Sequence, residues 1–210
     1  MAIGRIIAGP DCVAEGAAWL CSQEPAFARA LAETGPWPLR RQPDGFAALM
    51  EAIIGQQVSV ASARAIRDRV AAAGFLDAAQ VAAADEEALR AVGLSRPKVR
   101  YALALARSRV DFEGLRGRPD DEVVEELVAL PGIGRWTAEI YAMFALGRAD
   151  VIAAGDLALQ EGARMLFGLQ ARPTERALRQ MAQAWSPWRA VAARGLWAYY
   201  RVAKGREGIS

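Results

Sequence analysis

The sequence predicts an all-α fold, for three reasons. Alanine and leucine are abundant while runs of β-branched residues are few, a composition that favours helix over strand. Apolar residues recur at intervals of three and four positions, which is the repeat of one helix face. Glycine and proline interrupt the chain at regular intervals, as expected for many helices joined by short connections.

The N-terminal half is predicted to begin with one or two helices in residues 11–33, followed by a proline-rich connection. Asp44 is expected to cap an amphipathic helix, because apolar residues then fall at i, i+3, i+4, i+7 and i+8. Those residues are Phe46, Leu49, Met50, Ile53 and Ile54. Residues 55–57 interrupt the pattern, and Ser59 begins a second helix that runs to Gly74.

Helix-start signals continue through the rest of the chain. Asp77 and Asp85 are expected to cap two short helices, and a proline near residue 97 opens a longer one. The next helix is predicted to begin at about residue 120, and its inner face consists of Val123, Val124, Leu127 and Val128. Four more helices are predicted at 135–146, 156–167, 174–185 and 188–204.

Composition limits the class of protein. At 210 residues the chain can form one large or two small domains. No apolar stretch approaches the ~20 residues that span a bilayer, and the start lacks a secretory signal, so we expect no membrane partner and a bacterial-type cytoplasmic location. Cys12 and Cys21 match no metal-binding spacing. The chain has no histidine, so acid–base chemistry near neutral pH would rely on carboxylates or water.

The run Leu130-Pro131-Gly132-Ile133-Gly134-Arg135 joins two predicted helices through a Gly-x-Gly turn. Glycine leaves the backbone N–H groups accessible, and the positive end of the second helix dipole faces the same place. A phosphate group is the natural ligand of such a turn, and Arg135 adds a positive charge beside it. The pattern therefore suits a DNA backbone.

The run from Leu130 to Ala138, followed by Asp156, resembles the helix-hairpin-helix and catalytic aspartate of the helix-hairpin-helix DNA glycosylases, and within them the 3-methyladenine DNA glycosylase II group. Two further stretches fit this resemblance, at residues 53–59 and 185–189. The resemblance implies a two-lobed fold with a six-helix barrel and a cleft between the lobes. Its expected parts are N-terminal helices in 1–36, the barrel in 37–146 and a C-terminal lobe in 147–210.

Asp156 is the predicted catalytic residue. An aspartate before an amphipathic run is by itself a helix cap, and a capping carboxylate is held ionised and fixed in direction by the helix N-terminus. Both roles can therefore hold together. Cleaving a base from deoxyribose builds positive charge on the sugar, which a carboxylate stabilises. Asp150 is the competing carboxylate, although the resemblance places it at the structural start of the loop.

The resemblance also implies the base pocket. Trp136 stands where glycosylases that cut the backbone carry a lysine, so a monofunctional hydrolase is expected, with Trp136 lining the pocket rather than serving only the core. Trp197 matches a second pocket tryptophan. Relatives often carry tyrosine where this chain has Ile140, and Tyr141, one residue later, is the aromatic candidate there although it points elsewhere on a helix. A tryptophan face attracts a cationic alkylated purine by ~0.5–2 kcal/mol.

Further DNA contacts follow from the same resemblance. Gln57, with Gln56 beside it, matches the region that enters the minor groove and fills the gap left by an everted base, whereas Gln56 could equally be an amide that ends a helix. The expected backbone-binding residues are Gly132, Ile133, Gly134, Arg135 and Thr137. Carbonyls of Val128, Leu130 and Ile133 are expected to bind a monovalent cation. No other cofactor is expected, because two cysteines exclude a four-cysteine iron–sulfur cluster.

The expected partner is double-stranded DNA with alkylated bases, bound by a monomer. Residues 160–210 carry nine Lys and Arg against three Glu, a net charge of +6 that suits a polyanion, although a solvated helix face would look similar. The favoured substrate is chiefly 3-methyladenine, with 7-methylguanine as a further candidate. Two alternatives stay open: a non-catalytic helix-hairpin-helix DNA-binding module, and a glycosylase for hypoxanthine or 1-methyladenine.

Overall fold

The computed structural model describes residues 3–205, and among them it contains 13 α-helices. The first seven are α1 (Pro10–Gln23), α2 (Pro25–Thr34), α3 (Phe46–Gly55), α4 (Val60–Ala72), α5 (Ala78–Ala83), α6 (Glu86–Ala91) and α7 (Arg96–Arg107). The remaining six are α8 (Phe112–Leu115), α9 (Asp120–Val128), α10 (Arg135–Phe144), α11 (Leu157–Leu166), α12 (Glu175–Met181) and α13 (Arg189–Lys204). A short 3₁₀ helix, Ala182–Trp185, follows α12. The predicted all-α class is confirmed.

Regular β structure is missing from residues 3–205, where a single isolated antiparallel bridge joins Ile6 to Arg148. None of the helices in this range is both long enough and apolar enough to cross a bilayer. Two charged residues counted in the basic C-terminal segment, Arg206 and Glu207, lie outside the described residues.

The chain divides into two compact units. Unit one contains the residues up to Arg41 together with those from Ala142 onward, and therefore holds α1, α2 and α11 to α13. Unit two runs from Gln42 to Tyr141 and holds α3 to α9 with most of α10. The sequence-based division at 36/37 and 146/147 stays a prediction.

The core of unit one is built on α13 and on an aromatic cluster. The segment Ala190–Ala198 of α13 is buried along its whole length. Phe27 of α2 meets Trp37 and Trp185 edge to face, at ring-centroid distances of 5.9 and 5.4 Å. Such packed aromatic pairs stabilise a core beyond the area they bury.

Unit two confirms most of the predicted helix starts and corrects one. All five apolar residues predicted on one face of α3 are buried. Asp77 and Asp85 cap α5 and α6 as predicted, each accepting a backbone N–H bond. The prediction that Asp44 caps α3 is wrong, because the N-cap is Gly45. Asp44 instead forms a two-pronged ion pair with Arg116, at 2.7 and 3.0 Å.

Three further details differ from the sequence prediction. Val128 was expected on the inner face of α9 but is 41% exposed, and it is the last residue of that helix. The four-residue helix α8 was not predicted; Asp111 caps it by accepting the Gly114 N–H at 2.9 Å. Helix α10 ends at Phe144 rather than at 146, shortly before Gly147 with its φ of +74°.

Candidate active site and nucleic-acid interface

The turn between α9 and α10 forms the predicted hairpin in residues 130–134. The Ile133 N–H donates to the Leu130 carbonyl at 3.1 Å, and the Ala138 N–H donates to the Gly134 carbonyl at 3.0 Å, which starts α10. Ile133 points its side chain into the core of unit two. The turn is therefore anchored by one buried side chain while its glycines remain near the surface.

Gly132 meets two requirements that only glycine satisfies. Its φ of +84° lies in the left-handed region. A Cβ placed on it would also lie 2.3 Å from Cγ of the Tyr101 ring on α7. The turn thus packs directly on α7, and this close approach holds the path of the backbone.

The start of α10 is exposed and positively charged. A Cβ on Gly134 would meet no atom within 4 Å, so this side of the turn is open. The first N–H groups of α10 lack acceptors within the helix, and Arg135 adds a guanidinium that is paired at 3.4 Å with the buried Glu139. The side chain of Thr137 is buried, so Thr137 can offer an anion only its backbone N–H.

The second exposed feature of unit two is the 55–59 loop, which consists of the last residue of α3 and the connection to α4. Gln57 is exposed and has a φ of +56°, which is uncommon for a residue with a side chain. Ser59 ends the loop by capping α4, where its hydroxyl oxygen accepts the Ser62 N–H at 3.2 Å. The loop therefore exposes the Gln57 side chain on a strained, left-handed backbone.

Gln56 is half-buried, whereas Gln57 is exposed. Its side-chain amide donates to the Gly132 carbonyl at 2.8 Å, so it joins the loop to the hairpin within unit two. This contact engages the amide with the protein. This geometry favours Gln57 over Gln56 for insertion into DNA, and both assignments stay predictions.

The two aromatic residues of α10 have different environments. Trp136, in the first turn, is 43% exposed. Tyr141 is buried, and its hydroxyl oxygen accepts the Gly45 N–H at 2.9 Å beneath the start of α3. Burial raises the pKa of Tyr141 to about 12. Tyr141 therefore supports the interior of unit two, and this placement argues against it as a wall of a base pocket.

Asp156, in unit one, is the N-cap of α11 as predicted. Its Oδ1 accepts the Leu159 N–H at 2.9 Å, so the carboxylate is held at the positive end of the helix. The same oxygen accepts the indole N–H of Trp197 at 3.1 Å. Asp156 is only 7% exposed, yet its neighbour Leu157 is 62% exposed, which places the start of α11 near the surface.

Trp197 lies in the middle of α13 and is 5% exposed. Its ring lies 5.7 Å from the ring of Phe144, and the Arg40 guanidinium lies 5.9 Å from its centroid. The sequence suggested Trp197 only as a pocket surface. Its hydrogen bond to Asp156 was missed, because two residues 41 positions apart give no local signal of contact.

The loop that precedes Asp156 is fixed by the 185–189 motif. Asp150 accepts the Ser186 hydroxyl at 2.7 Å, and its carboxylate lies 3.5 Å from Nε of Arg189. Asp150 therefore has the structural role that the resemblance implied, and the 185–189 motif holds the loop that leads to the α11 cap.

A buried arginine was also missed by the sequence reasoning. Arg194 donates twice to the Leu39 carbonyl, at 3.1 and 3.0 Å, and lies 4.9 Å from the Phe144 ring centroid. Burial, with the charges of Arg40 and Arg41, lowers the pKa of Arg194. Because α13 carries both Arg194 and Trp197, this anchoring also fixes the helix that bonds Asp156.

An all-α chain with a Gly-x-Gly hairpin between two helices, followed by an aspartate that caps a further helix, has the features of a helix-hairpin-helix protein. The family model for the HhH-GPD superfamily of base excision DNA repair proteins matches residues 50–188, and the chain belongs to this superfamily.

Individual proteins agree with this assignment. DNA-3-methyladenine glycosylase 1 of Schizosaccharomyces pombe is 30% identical over 74% of this chain and 72% of its own length. The crystal structure of a DNA-3-methyladenine glycosidase from Bacillus halodurans has a TM-score of 0.79 and 32% identity, covering 89% of this chain and 90% of the other.

A third similarity is to the Schizosaccharomyces pombe 3-methyladenine DNA glycosylase in complex with abasic DNA. It has a TM-score of 0.75 and 26% identity, covering 90% of this chain and 97% of the other. These similarities confirm the predicted fold, the superfamily and its 3-methyladenine glycosylase type.

Proposed function

We propose that this protein is a monofunctional DNA glycosylase that hydrolyses the N-glycosidic bond of alkylated purines in duplex DNA and leaves an abasic site. The proposed substrates are 3-methyladenine, which appears in the names of its relatives, and 7-methylguanine. The observation that carries the proposal is Asp156, an ionisable carboxylate fixed by a helix N-terminus and an indole N–H.

The DNA backbone binds at the hairpin in this proposal. The backbone N–H groups around Gly134 and at the start of α10 donate to the oxygens of one phosphate group, with the charge of Arg135 adding to the attraction. Such backbone contacts fix the position of the duplex without reading its sequence.

The target base is turned out of the stack, and the Gln57 side chain fills the gap. Gln57 is favoured over Gln56 for this role. Gln57 is exposed and has a left-handed backbone, whereas the Gln56 amide is already bonded to the Gly132 carbonyl. Unstacking a base costs a few kcal/mol, and a damaged base requires the least.

Asp156 then stabilises the positive charge that develops on deoxyribose as the glycosidic bond breaks, and water completes the hydrolysis. An N-alkylated purine carries its own positive charge, so it leaves without a general acid, which fits a chain that has no histidine. Trp136 offers an exposed ring on which that cationic base stacks.

A lyase step through a Schiff base is not part of the proposal. The chain has two lysines, Lys98 and Lys204. Lys98 is buried and donates to the Ile54 carbonyl at 2.7 Å, which leaves it poorly placed for attack on a sugar carbon. Lys204, at the end of α13, lies 3.9 Å from Glu161.

A monovalent cation at the hairpin belongs to the same proposal. The Val128 carbonyl lies at the negative end of α9, and the Leu130 and Ile133 carbonyls follow in the turn, where that of Leu130 also accepts the Ile133 N–H. These three oxygens are hard ligands of the kind that would hold such an ion. The bound cation would strengthen the attraction for the adjacent phosphate.

The test is the Asp156→Asn variant on DNA with a single defined lesion. Asparagine still caps a helix but carries no charge, so α11 should persist. We expect single-turnover base release, scored as alkali-labile strand breaks, to fall at least about 100-fold. Affinity for a duplex with an abasic-site analogue should change by less than about threefold.

Asp85→Asn is the matched control, because Asp85 caps α6 through the same kind of bond, at 2.7 Å. This variant should keep full activity. Equal base release by Asp156→Asn and the wild type would contradict the catalytic role. No release from any lesion by the wild type, with salt-sensitive binding retained, would instead identify a non-catalytic DNA-binding module. Parallel substrates with hypoxanthine or 1-methyladenine test the lesion range.

The same preparation tests the proposed monomeric state. Light scattering after size exclusion, with and without an equimolar lesion duplex, should give a protein mass near 22.6 kDa. A mass of twice this value would contradict the proposed monomeric state.

A further inference from the structure

One face of α7 contacts both exposed features of unit two. Lys98 and Tyr101 lie three residues apart and therefore share this face. Lys98 reaches the end of α3, immediately before the 55–59 loop. The Tyr101 ring packs against Gly132 at the hairpin.

The contact of Lys98 is unusual for a lysine. Its ammonium is buried and donates to the Ile54 carbonyl at 2.7 Å. Carbonyls in the last turn of a helix lack donors within the helix, and they attract positive charge. Burial lowers the pKa of Lys98, which shows that the position carries a cost to the charged form. In some proteins a buried charged group is retained because it fixes a particular arrangement.

Gln56 provides the second connection. It follows α3 directly, two residues after Ile54, and its amide donates to the Gly132 carbonyl at 2.8 Å. The 55–59 loop is therefore held at its base by α7 through Lys98 and joined to the hairpin through Gln56. The hairpin is in turn held by α7 through the Tyr101 ring.

We infer that Gln56 and Lys98 are positioning residues which lock the 55–59 loop to the 130–134 hairpin, so that insertion of Gln57 and capture of a phosphate occur at one fixed spacing. This inference rests on the proposed function. Base eversion needs both contacts at once, because the inserted side chain must meet the gap while the backbone is gripped. A loosened loop still permits DNA binding but places Gln57 and the everted nucleotide less accurately.

The test uses Gln56→Met and Lys98→Met, which remove the hydrogen-bond donor but keep a long side chain, with Lys98→Arg as the conservative variant. Single-turnover base release should fall about tenfold in both Met variants, with KM and duplex affinity within about threefold of the wild type. When the wild type binds, the fluorescence of an adenine analogue next to the lesion should increase. Most of this increase should be lost with the two Met variants. Lys98→Arg should recover at least half of the wild-type rate.

A double variant separates the coupling from simple damage. If the two residues act through one network, Gln56→Met/Lys98→Met should be no more than about twice as slow as the worse single variant. The matched controls are Gln80→Met and Arg90→Met, exposed residues of α5 and α6 in the same unit, and these should match the wild type. Multiplicative losses in the double variant, or unchanged rates in the single variants, would overturn the inference.

Hydrogen exchange tests the coupling without any substrate. The Ile133 amide, which bonds the Leu130 carbonyl, should exchange about fivefold faster in Gln56→Met than in Gln80→Met. If the wild type releases no base while this exchange effect is present, the proposed function fails and the physical connection stands. If the wild type is active and exchange at the hairpin is unaltered in Gln56→Met, the inference fails alone. Should Lys98→Met not fold, Gln56→Met and Lys98→Arg decide the question.

Discussion

The surroundings of Asp156 and the 130–134 hairpin differ in the chemical groups that form them. The carboxylate of Asp156 is buried and held by hydrogen bonds from an indole and a helix start. The hairpin is exposed along one side and presents backbone, shaped by a left-handed glycine and a neighbouring ring. Around Asp156, an indole N–H and a backbone N–H decide the orientation of the carboxylate. At the hairpin, backbone φ angles and the open space beside Gly134 decide which groups can approach the backbone.

The hairpin glycines should show the largest effect. Gly132→Ala forces a side chain into the left-handed region and against the Tyr101 ring, 2.3 Å away. We expect a loss of about 2–4 kcal/mol in the free energy of unfolding, from backbone strain and overpacking together. DNA affinity should fall more than about tenfold as the turn is displaced. Urea denaturation and fluorescence anisotropy measure the two quantities.

Gly134→Ala is its matched partner, because a Cβ there meets nothing within 4 Å. Its unfolding free energy should change by less than about 1 kcal/mol. Its DNA affinity should nevertheless fall, since the methyl group occupies space that a phosphate needs. Equal losses of stability in the two variants would show that the turn is not organised as described.

Trp197→Phe tests the buried region. The substitution keeps an aromatic ring but removes the N–H donated to Asp156 at 3.1 Å. A hydrogen bond to a charged group is worth about 1.5–3 kcal/mol, so the single-turnover rate should fall roughly 10–100-fold while the dissociation constant for DNA stays nearly constant. Trp185→Phe, in the aromatic core of the same unit, should lower stability more than the rate. A rate loss as large in Trp185→Phe would remove the special role of Trp197.

Local patterns explain how much of this fold the sequence predicts. A cap such as Asp156 lies next to the helix it starts, and the Gly-x-Gly turn is contiguous, so both can be found from short windows. The five-residue face of α3 was likewise predicted from its spacing. Asp44 shows the limit. Arg116, 72 positions later, draws its carboxylate into an ion pair, and Gly45 takes the cap.

The missed parts of the site all depend on distant partners. Gln56 bonds Gly132 across 76 positions, and Trp197 bonds Asp156 across 41. No propensity or periodicity encodes such pairs, because each requires the packed fold to bring a side chain to a particular atom. The resemblance supplied residue types for these positions, but the structure supplied what each side chain touches.

Tyr141→Phe asks whether burial alone makes a residue matter for base release. Tyr141 is buried in the unit that contains the hairpin, and its pKa is raised to about 12 by burial. The folded state therefore keeps the phenol proton longer than the unfolded state does, so the stability it contributes is present below pH 10 and lost as the pH rises toward 12.

The measurement is the free energy of unfolding at pH 8 and pH 11. The wild type should lose about 1 kcal/mol more than Tyr141→Phe between these values. At pH 8 the variant should be less stable by about 1 kcal/mol, because the Gly45 N–H loses its acceptor, yet its rate of base release should be unchanged. A slowed rate at full folding would show that the interior of unit two matters for base release.

The smallest effect is expected at Arg135, the charged side chain beside the 130–134 hairpin. It is about half exposed and shares its charge with Glu139 at 3.4 Å, so its contribution to DNA binding should be modest. Arg135→Gln should weaken binding about threefold at moderate salt and reduce the slope of log affinity against log salt by about one. Arg107→Gln, at the exposed end of α7, is the control and should keep the wild-type slope. If Arg135→Gln also keeps the wild-type slope, the phosphate is held by backbone amides alone. The contrast between the hairpin, a site made of backbone, and Asp156, a site made of side chains, then becomes sharper.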